Sequence, residues 1–420
     1  MFRFLTAGES HGRGLTVIVE GVPAGLPLTE EYVTKDLARR QVGYGRGGRM
    51  QIERDHADFL SGVRHGLTMG SPISMWIENR DWISGTGPDG VPWQEVMSVS
   101  PTEVSYETIT KLRPGHADTS GATKYQQEDA RNILERSSAR ESAARVAAGA
   151  VARRFLQEFG IEVHGHVVAL AGVEAHPQGP IDWAALEEPP FHPDMPEGSK
   201  MAAVRCVDPD AAAAMVRAID DVREAGDSAG GIIEIVATGA PIGLGTHIQW
   251  DRKLTTRLAA AVMSINAVKG VEFGAGFAQA HLRGSQVHDV IKPVQEWDRA
   301  PDGGGGRLWP RRTNNAGGLE GGMTTGEPLV VRAVVKPIAT LINGLETVDS
   351  ATGEFVSQAH FERSDITFVP TCAVIGEAMV AATLADAMLE KFGGDHIDET
   401  RRNWRAYLKT VGPRAGQGVA

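Results

Sequence analysis

The chain has 420 residues, 42% of them hydrophobic and 23% charged, enough for a large core and ordinary for a globular protein. Its formal net charge of -11 argues against general binding to nucleic acid or to an anionic membrane, since both reward a basic surface. Two cysteines, Cys206 and Cys372, with no C-x-x-C spacing argue against a disulfide framework and point to a reduced, cytoplasmic setting. The opening MFRFLTAGESHG lacks a signal-peptide core, and no apolar run reads as reaching the ~18 residues of a membrane span. Fifty glycines against 6% aromatics indicate many tight turns and close backbone approaches.

In chain order, Gly14–Gly21 alternates as a strand and Thr29–Gln41 reads as a helix. Ser138, with Glu141 three residues on, forms a capping-box pattern that starts a second helix. Gly160 ends it, with Arg153 and Arg154 in the last turns, where cations suit the dipole. Strand His166–Val173, helix Asp208–Gly226 and strand Gly230–Gly239 follow, then a helix over Asp251–Ile265 capped by Asp251 and a strand over Glu327–Pro337. Cys372–Phe392 is apolar on nearly every face, which predicts a helix buried between layers. Strands and helices do not alternate strictly, so the fold class is α+β, antiparallel sheets packed on helices, rather than a doubly wound sheet or barrel. No repeat or linker divides the chain; 1–420 reads as one compact domain, with surface loops at 177–196 and 299–313.

The motifs are clearest where glycine meets charge. Arg39–Arg54, RRQVGYGRGGRMQIER, contains a literal G-x-G-x-x-G at Gly43, Gly45 and Gly48. A dinucleotide fingerprint follows a strand and opens a helix; here the glycines follow a helix and precede a strand-like run, so that reading fails. A solvated arginine loop and an anion cradle both remain open, the second favoured by the planar fork of arginine. His11 in GESHG and His116 in RPGHAD sit in glycine-bounded turns, fit either for structure or for proton transfer. Asp118 is close enough in sequence to orient His116. Arg136, Ser137 and Ser138 are read at the positive end of a helix, a natural phosphate site, although a plain serine cap explains Ser138 equally well. Lys336–Thr340 (KPIAT) and Asn314–Gly322 add a lysine, amides and a glycine loop. His164 and His166 share one strand face, yet no matching ligand cluster follows, so a zinc site is not favoured.

Together these segments resemble the chorismate synthase family. TAGESHG, RRQVGYGRGGRMQIERD, FLSGVRHGLTMGSPI, RPGHADTSG, RSSARESAARVAAGA, SINAVKGVEFGAGF, TNNAGGLEGGMTTGEPL, VVKPIATL and RSDITFVP occur in the family's order across nearly the whole chain. The resemblance implies helices sandwiched between antiparallel sheets, a homotetramer, and a carbon–oxygen lyase acting on 5-enolpyruvylshikimate 3-phosphate. It implies reduced FMN without net redox change, with NADPH as a possible external reductant; an intrinsic NADPH-dependent flavin reductase is the alternative. By resemblance, His11 protonates the departing phosphate, His116 serves the reduced flavin and Asp365 helps remove a substrate proton. Arg40, Arg46 and Arg49, with Arg39 as an addition, are implied for substrate anions or the nicotinamide nucleotide. FMN is implied at Arg136, Ser137, Ser138, Asn266, Ala267, Gly321, Lys336, Pro337, Ile338, Ala339, Thr340 and Arg363. No metal is implied.

Overall fold

The computed structural model describes residues 1–47, 54–177, 179–190, 198–297, 309–362 and 365–411. Its first sheet contains β1 (Arg3–Ala7), β2 (Gly14–Glu20), β3 (Asp58–Ser61) and β4 (Ile73–Glu78), antiparallel in the order β1-β2-β4-β3. Period-two alternation sets its inner face: Leu15, Val17 and Val19 are buried while Ile18 and Glu20 face out. Val17 pairs with Met75, so the inner rows of β2 and β4 coincide.

Against this face lie α1 (Glu30–Gln41) and, after the short α2 (Arg131–Ser137), α3 (Ser142–Gln157). The second sheet is built from β5 (Glu162–Leu170), β6 (Val173–Glu174), β7 (Gly231–Thr238), β8 (Val268–Phe273) and β9 (Leu329–Val335). Its order is β8-β9-β7-β5-β6, again antiparallel. Helices α4 (Pro209–Glu224) and α5 (Leu254–Met263) flank it, and α6 (Val369–Phe392) lies between it and α3. One hydrophobic cluster runs from Phe2 to Ile397 and joins both sheets to the helices between them. The α+β expectation therefore holds.

The two middle helices touch backbone to backbone. A Cβ on Gly149 of α3 would stand 2.2 Å from the Ala378 Cβ of α6, so only glycine permits that approach. Helix α6 is 24 residues long with a mean hydropathy of 1.6 over 18 residues, long and apolar enough to cross a membrane. This corrects the linear reading, in which scattered acids hid the length of the run. Of that window 94% is buried, so its apolar surface is taken up by the protein layers.

A buried cluster of charges sits inside this core, centred on Glu377. Glu377 accepts from Arg39 Nη1 at 2.7 Å and Nη2 at 2.9 Å, from Arg205 at 3.3 Å and from the Gly165 amide at 2.7 Å. Burial alone would raise its pKa, but Arg39, Arg153 and Arg205 take it down to about 2. Arg39 is thereby removed from the substrate group: it is buried, and also binds Asp36 and Glu187. Its partners lie far along the chain, out of reach of a local reading.

Most helix ends follow the sequence. Thr29 caps α1, and Asp208 caps α4 by accepting from Asp210 and Ala211. The end of α3 is a Schellman motif, with Gly160 N–H to Gln157 O at 3.1 Å and Ile161 N–H to Leu156 O at 3.2 Å. Two caps differ. Asp251 lies in a 3-10 turn, Trp250–Arg252, and α5 starts only at Leu254. Ser138 accepts from the Arg140 amide, but Glu141 turns away to Arg145 and Thr6, so the reciprocal box does not close. A last amphipathic helix, α7 (Ile397–Thr410), went unread; His396 and Glu399 form its capping box, and Trp404 and Tyr407 pack on Phe159 and Phe392. Of the segments read as loops, 177–196 contains a 3-10 turn, Trp183–Leu186, with Leu186 buried. Most of 299–313 lies outside the described residues.

Candidate active site

Residues distant in sequence converge on a cavity of about 800 Å³. Its wall takes the loop after β1, the 113–117 turn, α2 with the following turn, the residues after β9 and the approach to α6. Eight Arg and Lys side chains line it against four carboxylates, an inversion of the sign of the whole chain.

The loop after β1 carries His11. Gly8 turns it with φ 108, and a Cβ there would lie 2.3 Å from Gly14 O. Buried Asn79 clamps the loop, its amide donating to the carbonyls of Glu9, Ser10 and Gly12 at 3.0, 3.2 and 2.7 Å. His11 is buried; its ring stacks on Trp93 with centroids 4.0 Å apart, and its Nδ1 meets Glu135 at 2.8 Å. Arg131 reaches the same carboxylate at 3.2 Å. Among the described residues the Arg131 Nε is a buried donor with no hydrogen-bond partner, and its guanidinium lies 5.2 Å from the Trp93 ring centre. Glu362 adjoins this group, accepting from Arg131 at 3.3 Å and bonded to His360 at 3.0 Å. Burial would raise the pKa of Glu362, yet His360, Arg131 and His11 hold it at about 2.

His116 is built differently. Its Nδ1 lies 2.5 Å from Asp118, a fully buried carboxylate gripped by Arg113 through Nε at 2.8 Å and Nη2 at 3.0 Å. Despite burial, the hydrogen bonds from His116 and Arg113 keep Asp118 well below the usual carboxylate range. Asp118 is therefore an acceptor only, and Nδ1–H must point at it. Arg113 Nη2 also lies 3.0 Å from Nδ1, a close approach of cation to ring rather than a second hydrogen bond.

The arginines implied for anions form a third group. Arg40 is fully buried, donating to Ser142 Oγ at 3.1 Å and Ala139 O at 3.2 Å and pairing with Asp55 at 3.4 Å. Arg140 shares Asp55 at 2.5 Å, and Arg46 pairs with Asp365 at 2.7 Å while the Gly47 amide donates to the same carboxylate at 2.6 Å. Burial pushes the Arg40 guanidinium down to about 9; Asp55 opposes the fall, and Arg140 and Arg46 add to it. Crowded cations of this kind are relieved by a bound anion.

Of the residues implied for a flavin, Arg136, Ser137, Ser138, Asn266, Ala267 and Lys336–Thr340 line the cavity. Asn266 donates to Ser137 O at 2.8 Å, Lys336 Nζ to Gly115 O at 2.6 Å, and Arg113 to Thr340 Oγ1 at 3.3 Å. The helix-end reading needs correction. Arg136 and Ser137 close α2, and extended Ser138 breaks the run, so only Ser138 stands at a helical N-terminus. Arg136 holds the carbonyls of Thr6 and Gly8 at 2.9 and 3.2 Å. Gly321 is not on this wall; with φ 59 it turns the small hairpin between Leu319–Glu320 and Met323–Thr324. Arg49 and Arg363 lie outside the described residues. His164 stacks on Trp183 at 4.7 Å and His166 Nε2 bonds Glu234 at 3.0 Å, while His166 Nδ1 is buried with no hydrogen-bond partner among the described residues.

Sequence reasoning missed Asn79, Trp93, Arg131, Glu135, Arg140 and Glu362. Arg131 and Glu135 carried a readable signal, an i,i+4 pair on a helix beside a quoted motif. Trp93 and Asn79 act through contacts that no local pattern records.

Comparison with known proteins places this arrangement. The family model described as chorismate synthase matches residues 2–389. Chorismate synthase of Geobacter sulfurreducens is 52% identical over 412 residues, covering 98% of this chain and 99% of its own. That of Moorella thermoacetica is 51% identical over 414 residues, covering 98% and 100%. A crystal structure of a chorismate synthase shares 40% identity and a TM-score of 0.70 over 98% of both chains. Fold and cavity thus define a lyase, with its charge and its proton-bearing groups turned inward. The chain belongs to the chorismate synthase family.

Proposed function

We propose that the cavity performs the anti-1,4-elimination of phosphate from 5-enolpyruvylshikimate 3-phosphate, giving chorismate, the last common step toward the aromatic amino acids. The observation that carries the reading is the cationic lining with two carboxylate-held histidines on it. The substrate brings one phosphate and two carboxylates to that surplus of positive charge. Arg40 and Arg46 bind these anions, and we assign Arg49 to the same task. His11, acting as the imidazolium, gives its Nε2 proton to the departing phosphate, whose bridging oxygen takes the electron pair of the broken C–O bond. Such acid assistance is worth roughly 10²–10⁴ in rate. We assign Asp365, held by Arg46 and the Gly47 amide, to assist removal of the C6 proton.

The donor set fits reduced FMN. The volume is that of a cofactor site, and Lys336 and Arg113 favour an anionic ring, with Asn266, Ala267 and Pro337–Thr340 along its wall. Arg136, Ser137 and Ser138 complete the set, His116 serves the same ligand, and Arg363 and Gly321 are assigned to it by family alone. Bound reduced flavin supplies transient electron density to the breaking C–O bond, with no net redox change. A homotetramer is supported by the exposed apolar pair Leu5 and Ile18 on the outer face of the first sheet; sedimentation tests it. A cytoplasmic setting accords with two unpaired, buried cysteines.

The test is anaerobic incubation with chemically reduced FMN and substrate, followed by the ultraviolet absorbance of chorismate. Absence of product from folded protein overturns the reading. Turnover with oxidised FMN and NADPH in air would instead support an intrinsic flavin reductase.

A further inference from the structure

One carboxylate grips His11 at two points. Glu135 Oε2 accepts from the His11 backbone N–H at 2.7 Å, and Oε1 meets Nδ1 at 2.8 Å. Arg131 Nη1 is a third donor, at 3.2 Å from Oε1. Glu135 is 3% exposed and does not line the cavity, so it is out of reach of a bound substrate. Burial would raise its pKa, but the hydrogen bonds and charge of His11, with Arg131, keep it lowered. The carboxylate is therefore ionised and can only accept, which places the proton of the neutral ring on Nδ1. The Trp93 face, stacked at 16° to the imidazole, opposes tipping of the ring. Among the described residues, the charged groups placed against His11 include Glu135, Arg131 and, more remotely, Glu362.

We propose that Glu135 is a positioning residue for the elimination: it fixes the tautomer and the orientation of His11, so that Nε2 is the atom that exchanges the proton. The inference rests on the assignment of His11 as the acid. Glutamine cannot replace Glu135 without loss. Three donors converge on its two oxygens, and an amide offers one oxygen and one further donor, so one contact must turn repulsive.

Two readouts test it. In protein labelled with 15N-histidine, with the His11 signal assigned by its loss in His11→Asn, neutral His11 should show the Nδ1–H tautomer. Glu135→Gln should shift that signal toward Nε2–H and lower kcat by about 10- to 1,000-fold, with KM changed by less than about 3-fold. An Nε2–H signal in the unaltered protein, or wild-type kcat in Glu135→Gln, overturns the proposal. If Glu135→Gln does not fold, the tautomer of the unaltered protein decides alone. An active His11→Asn would sink the acid assignment itself. An inactive His11→Asn beside a normal Glu135→Gln would sink only the role of Glu135.

Discussion

The two histidines of the cavity share a plan and differ in its execution. Each ring gives Nδ1 to a buried carboxylate, and each carboxylate is gripped by an arginine: Glu135 with Arg131 for His11, Asp118 with Arg113 for His116. His11 is locked further by Trp93, and its side chain is 9% exposed against 21% for His116. Its partner comes from another element, whereas Asp118 lies in the same turn as His116. The difference separates a ring held immobile by its surroundings from a ring left more open to the cavity.

Substitution of the rings is the severest test of that contrast. His11→Ala and His116→Ala should each lower anaerobic turnover by roughly 10²–10⁴ while leaving FMN affinity largely intact. A variant that loses only flavin affinity, with normal turnover at saturating FMN, would break the acid–base half of the comparison.

Glu377 provides a reference cluster outside the cavity, where the same carboxylate–arginine chemistry serves stability. Its folded pKa of about 2 lies below the ordinary 4.5, so its contribution is present above pH 4.5 and is lost as pH falls toward 2. The shift corresponds to about 3 kcal/mol. Acid-titrated thermal melts should show that loss in the native chain and much less of it in Glu377→Gln.

Asp118→Asn should have a smaller effect on turnover, about 10- to 100-fold, and weaken FMN binding by calorimetry, since Arg113 also reaches Thr340. Trp93→Leu should be mildest, about 2- to 10-fold in kcat, the worth of a ring stack. Equal effects of Trp93→Leu on KM and kcat would place the indole against substrate rather than behind His11.

Local signals carried much of this architecture. Alternation located β2, β7 and β9, and the runs Thr29–Gln41 and Asp208–Gly226 were legible as α1 and α4, because those features are written within a few residues. His116 with Asp118 was legible for the same reason. Arg39 misled because a single turn of α1 places Asp36, Arg39 and Arg40 inward, and only Glu187 and Glu377 reveal why. Glu135 and His11 are 124 positions apart, and Asn79 clamps a loop 67 to 70 residues away. Such pairs exist only after the sheets and helices have packed.

The concentration of cations in one concavity also sets what reaches it. At physiological salt, fields fade over about 8 Å, so an approaching ligand senses the outer surface first and the pocket only at close range. A polyanion spans many screening lengths and meets the repulsion of a chain with net charge -11. A compact ligand bearing one phosphate and two carboxylates would fit within one such length of the arginines. Charge alone would thereby favour compact anions over polyanions at this cavity.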